Sequence, residues 1–323
     1  MTRHSAPDNE LVINWHITEA CNYHCRYCYA KWDKASNRRE LIHDQSRSTK
    51  LLEELAAFFR PGNSRNPLNQ ALDWKSLRIN LAGGEPLLYH RAVLHIAREA
   101  RRLGCSVSII TNASRLDHDL MGDLAGHLSV LGISIDSADT LRNQQIGRED
   151  RQGHRLEPPA LTQVIALGRQ LNPALRVKIN TVVNALNHRE DMTPLLRSLA
   201  PEKWKVLRML PSVTDELAVS SMQFNAFVSR HRSADLPMYV EDNTDMRESY
   251  IMIDPDGRFF QNSSTHRGYH YSLPILDIGA AAAFGQIQLS PARYLQRYTM
   301  AEAFERSLPP QKRSTPSSRS TAI

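Results

Sequence analysis

Apolar periodicity along this chain switches repeatedly between short strand-like runs and 3.6-residue helical repeats. That alternation narrows the possible folds more than any other feature. The spacing predicts strands over Leu11–Ile17, Leu77–Leu81, Ser106–Ile110, Val130–Ile135, Arg176–Val183 and Lys205–Leu210. It predicts a helix after each, over Lys50–Phe59, Val93–Leu103, Asp117–Gly126, Leu161–Leu171, Asp191–Leu199 and Ser221–Arg230. Strand–helix units in succession imply parallel strands joined by helical crossovers. Six of them suit an α/β fold of the partial (β/α)6 TIM-barrel type, with chemistry at the C-terminal strand ends. An open doubly wound sheet is the competing architecture. Pro61–Asp73 reads as a loop within the first crossover. Tyr250–Phe260 reads as a β-hairpin turning at Asp254-Pro-Asp-Gly257. Short helices are expected near 279–287 and 291–297.

The expected organisation is an N-terminal arm (1–10), the barrel (11–235), an extension covering the barrel mouth (236–304) and a disordered basic tail (305–323). Composition matters chiefly for what it excludes. Hydrophobic residues at 41% and charged residues at 23% are ordinary for a globular chain. No apolar run approaches the roughly 20 residues of a membrane span. The first residues lack a secretory pattern, and four cysteines in 323 residues are too few for a disulfide scaffold. A cytoplasmic, reducing location follows as the expectation. The net charge of +6 is mostly tail: Arg306, Lys312, Arg313 and Arg319 lie in a stretch with no acid. The body is therefore not broadly basic, and no stable nucleic-acid partner is expected.

Three of the four cysteines fall within eight residues, Cys21-Asn-Tyr-His-Cys25-Arg-Tyr-Cys28, just after the first strand. Tightly spaced thiolates select zinc or iron–sulfur. A closed zinc site wants four ligands, which here would need His24 or His16. Three cysteines suit a 4Fe–4S cluster with one iron open to a small molecule. Cys105, alone at the start of a strand, reads as a buried thiol.

This Cys-x-x-x-Cys-x-x-Cys motif resembles that of the radical S-adenosylmethionine (SAM) superfamily. Gly83-Gly84-Glu85-Pro86, after the second strand, is similar to its SAM amino-group motif. Asn112, Ser134 and Asp136, after the third and fourth strands, match SAM-contacting positions. Read singly, such residues are equally good caps or turns. The finer pattern resembles the viperins, the antiviral nucleotide-modifying branch. It rests on Ile79-Asn-Leu-Ala-Gly-Gly-Glu-Pro86, Ser134-Ile-Asp-Ser137, Ile146-Gly-Arg148, Lys178-Ile-Asn-Thr-Val-Val-Asn184, Trp204-Lys205-Val206 and Ser249-Tyr250-Ile-Met-Ile-Asp254.

The resemblance implies a dehydratase using SAM and a 4Fe–4S cluster held by Cys21, Cys25 and Cys28. A 5′-deoxyadenosyl radical would take hydrogen from C4′ of a ribonucleoside triphosphate, CTP first, with UTP or GTP possible. Loss of the 3′-hydroxyl as water, with one further electron, would give a 3′-deoxy-3′,4′-didehydro chain terminator. Arg78, Arg148, Lys178, Asn180, Lys203 and Lys205 match nucleotide contacts, and Tyr250 matches a proposed hydrogen or proton donor. A flavodoxin- or ferredoxin-type protein would supply electrons. One departure is plain: the viperins' C-terminal Gly-rich segment has no counterpart after Leu295. The alternatives are another radical SAM substrate, a modified base or a peptide, and, more remotely, a zinc- or RNA-binding module. The absence of cysteines after Cys105 counts against the auxiliary clusters common in peptide-modifying members.

Overall fold

A computed structural model describes residues 4–5, 10–29, 40–154, 156–243, 245–246, 248–262 and 268–295. The predicted tail at 305–323 lies outside them. Six parallel strands follow the expected order: β1 (Glu10–His16), β2 (Ser76–Ala82), β3 (Ser106–Thr111), β4 (Val130–Ser134), β5 (Arg176–Val183) and β6 (Lys203–Arg208). Each pairs with the next. A seventh parallel strand, β7 (Met238–Glu241), extends the β6 edge. On the other edge β8 (Ile251–Ile253) runs parallel to β1. Antiparallel β9 (Arg258–Asn262) and β10 (Tyr269–Pro274) then complete a ten-stranded sheet whose edges are β10 and β7. The partial barrel is thus open, and its extension is stitched to the first strand.

The sheet is two-faced because side chains alternate along each strand. Leu11, Ile13 and Trp15 of β1, Leu77, Ile79 and Leu81 of β2, and Trp204 and Val206 of β6 are buried in one apolar core with the helices. Many of the intervening residues are polar, among them Asn14, His16, Arg78, Asn80, Lys203 and Lys205. Asn80 Nδ2 donates to Asn14 Oδ1 at 2.9 Å, and Ser108 Oγ donates to Asn80 Oδ1 at 2.7 Å. A bore crossed by such polar groups is unlike the apolar layers that fill a closed barrel, and it suits a ligand.

The crossover helices cover the dry face. In α2 (His90–Arg102), Val93, Ile96, Ala97 and Ala100 form the buried stripe, and the last turn is basic, as the helix dipole favours. The expected hairpin turn is present, with Gly257 at φ +79°. Phe58 and Phe59, at the end of α1 (Gln45–Phe58) and just beyond it, meet Phe259 and Phe284 through edge-on or tilted ring contacts at 5.4–6.2 Å, which fastens the extension to the first crossover. The short helix at Thr140–Ile146 and the strands β7 and β10 are additions to the predicted elements. Residues 67–70 form a 3₁₀ turn inside the predicted loop.

Candidate active site

The cysteine loop leaves β1 and is gripped on two flanks by backbone. On one side Gly84 N donates to Thr18 O and Glu85 N to Ala20 O, both at 2.8 Å. A Cβ on Gly84 would stand 2.1 Å from Ala20 O, so only glycine allows this approach. On the other side His24 N donates to Gly147 O and Arg26 N to Ile146 O, both at 3.0 Å. Gly147 has φ +89°, and its Cβ would lie 2.3 Å from His24 O.

Cys21, Cys25 and Cys28 line one cavity of about 260 Å³. Among the described residues no three His, Cys, Asp or Glu side chains converge closely enough to hold a single metal ion. Three cysteines on one cavity suit a cluster that keeps one iron open, where a closed zinc site would need a fourth ligand. Burial pushes the Cys25 thiol up to about 12 against the pull of Arg148, and burial likewise pushes Cys21 up to about 11. Such thiols ionise only when a metal group compensates their charge. Donors also point at sulfur. Tyr23 N lies 3.4 Å from Cys21 Sγ, Asn112 Nδ2 3.9 Å from the same atom, and Arg148 Nη1 4.0 Å from Cys25 Sγ. Hydrogen bonds to sulfur are a usual means of tuning an iron–sulfur centre. The residues therefore fit a three-cysteine cluster. His16, a candidate zinc ligand in the alternative reading, is held neutral by burial, down to about 4. Cys105 packs in the main core, as expected.

The same cavity is lined by Gly83, Gly84, Asn112 and Ser134 at strand ends, then by Arg148, Lys178, Asn180, Lys205 and Tyr250. One enclosure thus joins most of the singled-out residues, from the cysteines to the inner faces of β5 and β6. Asn180 Oδ1 is buried and meets no hydrogen-bond partner among the described residues. Burial, then Lys205, Lys203 and Arg78, hold the Lys178 ammonium well below the usual lysine range, with Glu241 pulling the other way.

Five singled-out residues are placed differently from the rest, because they do not line the cavity. Glu85 is fully buried and accepts from Thr111 Oγ1 and Asn112 N at 2.6 Å and from Leu87 N at 3.0 Å, which ties β2 to β3. Pro86 opens the turn behind it. Arg78 pairs with Glu10 at 3.2 Å, near the N-terminal ends of β1 and β2, and Lys203 Nζ sits 3.9 Å above the Tyr239 ring. Asp136 is likewise withdrawn. Its Oδ1 accepts from Val182 N at 3.0 Å, and its Oδ2 accepts from the Tyr27 hydroxyl and from Arg148 Nη1 at 3.3 Å. Arg148 reaches the cavity while anchored on this carboxylate, with Nη2 donating to Ser134 O. Removing one partner of a buried ion pair strands the other. Asp136→Ala is expected to cost about 3–5 kcal/mol in chemical denaturation. A loss below 1 kcal/mol would contradict the pairing.

Several lining residues carried no sequence signal, among them Arg208, Asn262 and Tyr269. Tyr269 OH donates to Tyr29 O across 240 positions, so no local pattern could reveal it. Glu241, also unforeseen, stands behind the cavity wall. Its Oε1 lies 2.7 Å from Lys205 Nζ, and its Oε2 accepts from the Tyr250 hydroxyl, which itself accepts from Lys205 Nζ.

Comparison with known proteins agrees with this geometry. The Radical SAM superfamily matches over residues 15–157. An S-adenosylmethionine-dependent nucleotide dehydratase from Pseudoalteromonas ulvae is 43% identical over 298 residues, covering 92% of this chain and 96% of the relative. One from Psychrobacter lutiphocae is 40% identical over 294 residues, covering 91% and 96%. The solved structure of native anSMEcpe with bound AdoMet and Kp18Cys peptide superposes with TM-score 0.62 at 13% identity, covering 89% of this chain and 83% of that one, a likeness of fold. Among the described residues no helix is long and apolar enough to cross a membrane.

Proposed function

Because the chain belongs to the S-adenosylmethionine-dependent nucleotide dehydratases, the viperin-like branch of the radical SAM superfamily, we propose that it converts a ribonucleoside triphosphate, CTP first, to the 3′-deoxy-3′,4′-didehydro nucleotide, an antiviral chain terminator. The observation that carries this reading is the single cavity running from the three cysteines to Lys178, Asn180, Lys205 and Tyr250. The family implies a 4Fe–4S cluster and SAM. When bound they supply one-electron cleavage and hydrogen abstraction.

The chain's own residues do the rest. Cys21, Cys25 and Cys28 hold the cluster, and SAM lies against the backbone of Gly83 and Gly84, beside Asn112 and Ser134. Lys178 and Lys205 take the phosphates, with Arg78 and Lys203 adding charge from deeper in the bore. A triphosphate supplies the anion that these converging ammonium groups call for. Asn180 Oδ1 accepts from a sugar hydroxyl or a base amine. The balance is simple: hydrogen leaves C4′, hydroxide leaves C3′ and takes up a proton as water, and one electron completes the alkene. Tyr250 stands where it can give the proton or hydrogen. The electron comes from a flavodoxin- or ferredoxin-type donor, and Met246, Tyr250, Met252, Asn262 and Tyr269 form one wall of the mouth.

An anaerobic assay of the reduced holoenzyme with each of the four ribonucleoside triphosphates tests this. One triphosphate is expected to stimulate 5′-deoxyadenosine formation and to appear by mass spectrometry with water lost. The same yield with and without CTP, UTP or GTP would overturn it.

A further inference from the structure

Glu241 is a buried acid among cations, and nothing in the reaction above uses it. Strand β7 adds its last residue to the bore face, opposite Leu207 of β6, with Tyr239 opposite Lys205. Glu241 is 6% exposed and does not line the cavity, whereas Lys205 and Tyr250 do. The three side chains close a ring. Lys205 Nζ donates to the phenolic oxygen and to Glu241 Oε1, and the phenol donates to Glu241 Oε2. Both carboxylate oxygens are engaged, and the phenolic hydrogen has one direction.

We propose that Glu241 is a positioning residue, which fixes the hydroxyl of Tyr250 and holds Lys205 in an ion pair that the incoming triphosphate must share. The proposal rests on the dehydratase reading for the roles of Tyr250 and the triphosphate. Its physical basis is the sign of the charges. A carboxylate beside a phosphate site repels the substrate and competes for Lys205. It therefore weakens binding, and its ring with Tyr250 accounts for what it contributes instead. Removing the charge should separate the two effects: nucleotide binding tightens while delivery from Tyr250 falters.

The test is Glu241→Gln, which keeps size and shape, in the cluster-loaded enzyme. With SAM withheld, calorimetry should show the wild type's preferred triphosphate binding at least about tenfold tighter, the scale of one like-charge repulsion even across roughly 12 Å at an effective dielectric near 20. The gain should vanish in a Lys205→Met background. In turnover, product formed per 5′-deoxyadenosine should fall at least about tenfold, the scale of one lost hydrogen bond to a charged group. Glu241→Asp should restore part of that ratio. A parallel measurement needs no substrate. With 3-fluorotyrosine at position 250, the fluorine resonance should titrate at lower pH in Glu241→Gln, because the neighbouring carboxylate disfavours the phenolate. Unchanged affinity with an unchanged product ratio overturns the proposal, and so does an unchanged fluorine titration. A wild-type enzyme that binds none of the four triphosphates overturns the dehydratase reading instead, and the fluorine titration then decides Glu241 by itself.

Discussion

Replacing Cys25 by alanine is expected to give a folded, colourless protein that makes no 5′-deoxyadenosine. The cysteine loop is shaped by its backbone: the bonds from His24 N to Gly147 O, Arg26 N to Ile146 O and Cys28 N to Cys25 O do not involve the Cys25 sulfur. The side chain packs at the edge of a small apolar group formed by Tyr27, Ile146 and Met209, away from the main core. Losing one sulfur there should cost about 1 kcal/mol, at the low end for large-to-small changes. The far-ultraviolet spectrum and the melting transition should stay near those of the parent. Iron content should not. Two remaining thiols on one loop cannot hold three irons of a cluster, and the third position would be filled by a methyl group. Iron and acid-labile sulfide should fall to background, and the electron paramagnetic resonance signal of the reduced cluster should disappear. Cys105→Ala is the control: that thiol sits in the main core, so the variant should lose some stability and keep its iron. A brown, active Cys25→Ala protein would remove Cys25 from the ligand set.

The contrast between these two cysteines was legible in the sequence, because clustering is a local property. The same holds for the Gly-Gly pair and for Lys178, Asn180 and Lys205, whose period-two spacing sets them on one face of their strands. What spacing cannot supply is the partner of a short polar side chain at a strand end. Asp136 and Glu85 both match cofactor-contacting positions. Yet each spends its carboxylate on the protein, Asp136 on Tyr27, Arg148 and Val182, and Glu85 on Thr111, Asn112 and Leu87. A buried carboxylate must be satisfied, and at strand ends backbone N–H groups are the nearest donors. The seventh strand was illegible for another reason. Met238–Glu241 is four residues long, follows Pro237 and shows no clear alternation, so it pairs only because β6 offers it an edge. Missing that strand hid Glu241, and with it the environment of Tyr250. The polar groups that cross the bore were visible only in part. Asn14, Asn80 and Ser108 come from three strands, and only their register reveals the chain of hydrogen bonds.

Lys178→Met should make the protein more stable and a far poorer enzyme, a pair of effects that a merely structural lysine would not produce. Lys178 projects from β5 into the bore, and burial together with Lys205, Lys203 and Arg78 holds its ammonium well below the usual lysine range. A depressed lysine means that the unfolded chain binds the proton more tightly than the folded one. The folded state is then penalised at neutral pH. That penalty fades as pH rises through the interval between the depressed value and the ordinary one near 10.5. Methionine has similar length and no charge, so the penalty goes, and the melting temperature at pH 7 should rise by several degrees, the scale of about 1 kcal/mol or more. The gap between the two proteins should narrow toward pH 10, which a packing improvement would not do. Activity should move the opposite way. A phosphate oxygen on Lys178 would restore the ammonium's charge and form a charge-assisted bond of about 1.5–3 kcal/mol. Losing it should lower kcat/KM for the triphosphate by roughly tenfold to more than a hundredfold. Iron content should be unchanged, because Lys178 is remote in sequence from the cysteine loop and held on a separate strand. A variant that is destabilised, or that keeps full kcat/KM, would show that Lys178 serves the fold and not the substrate.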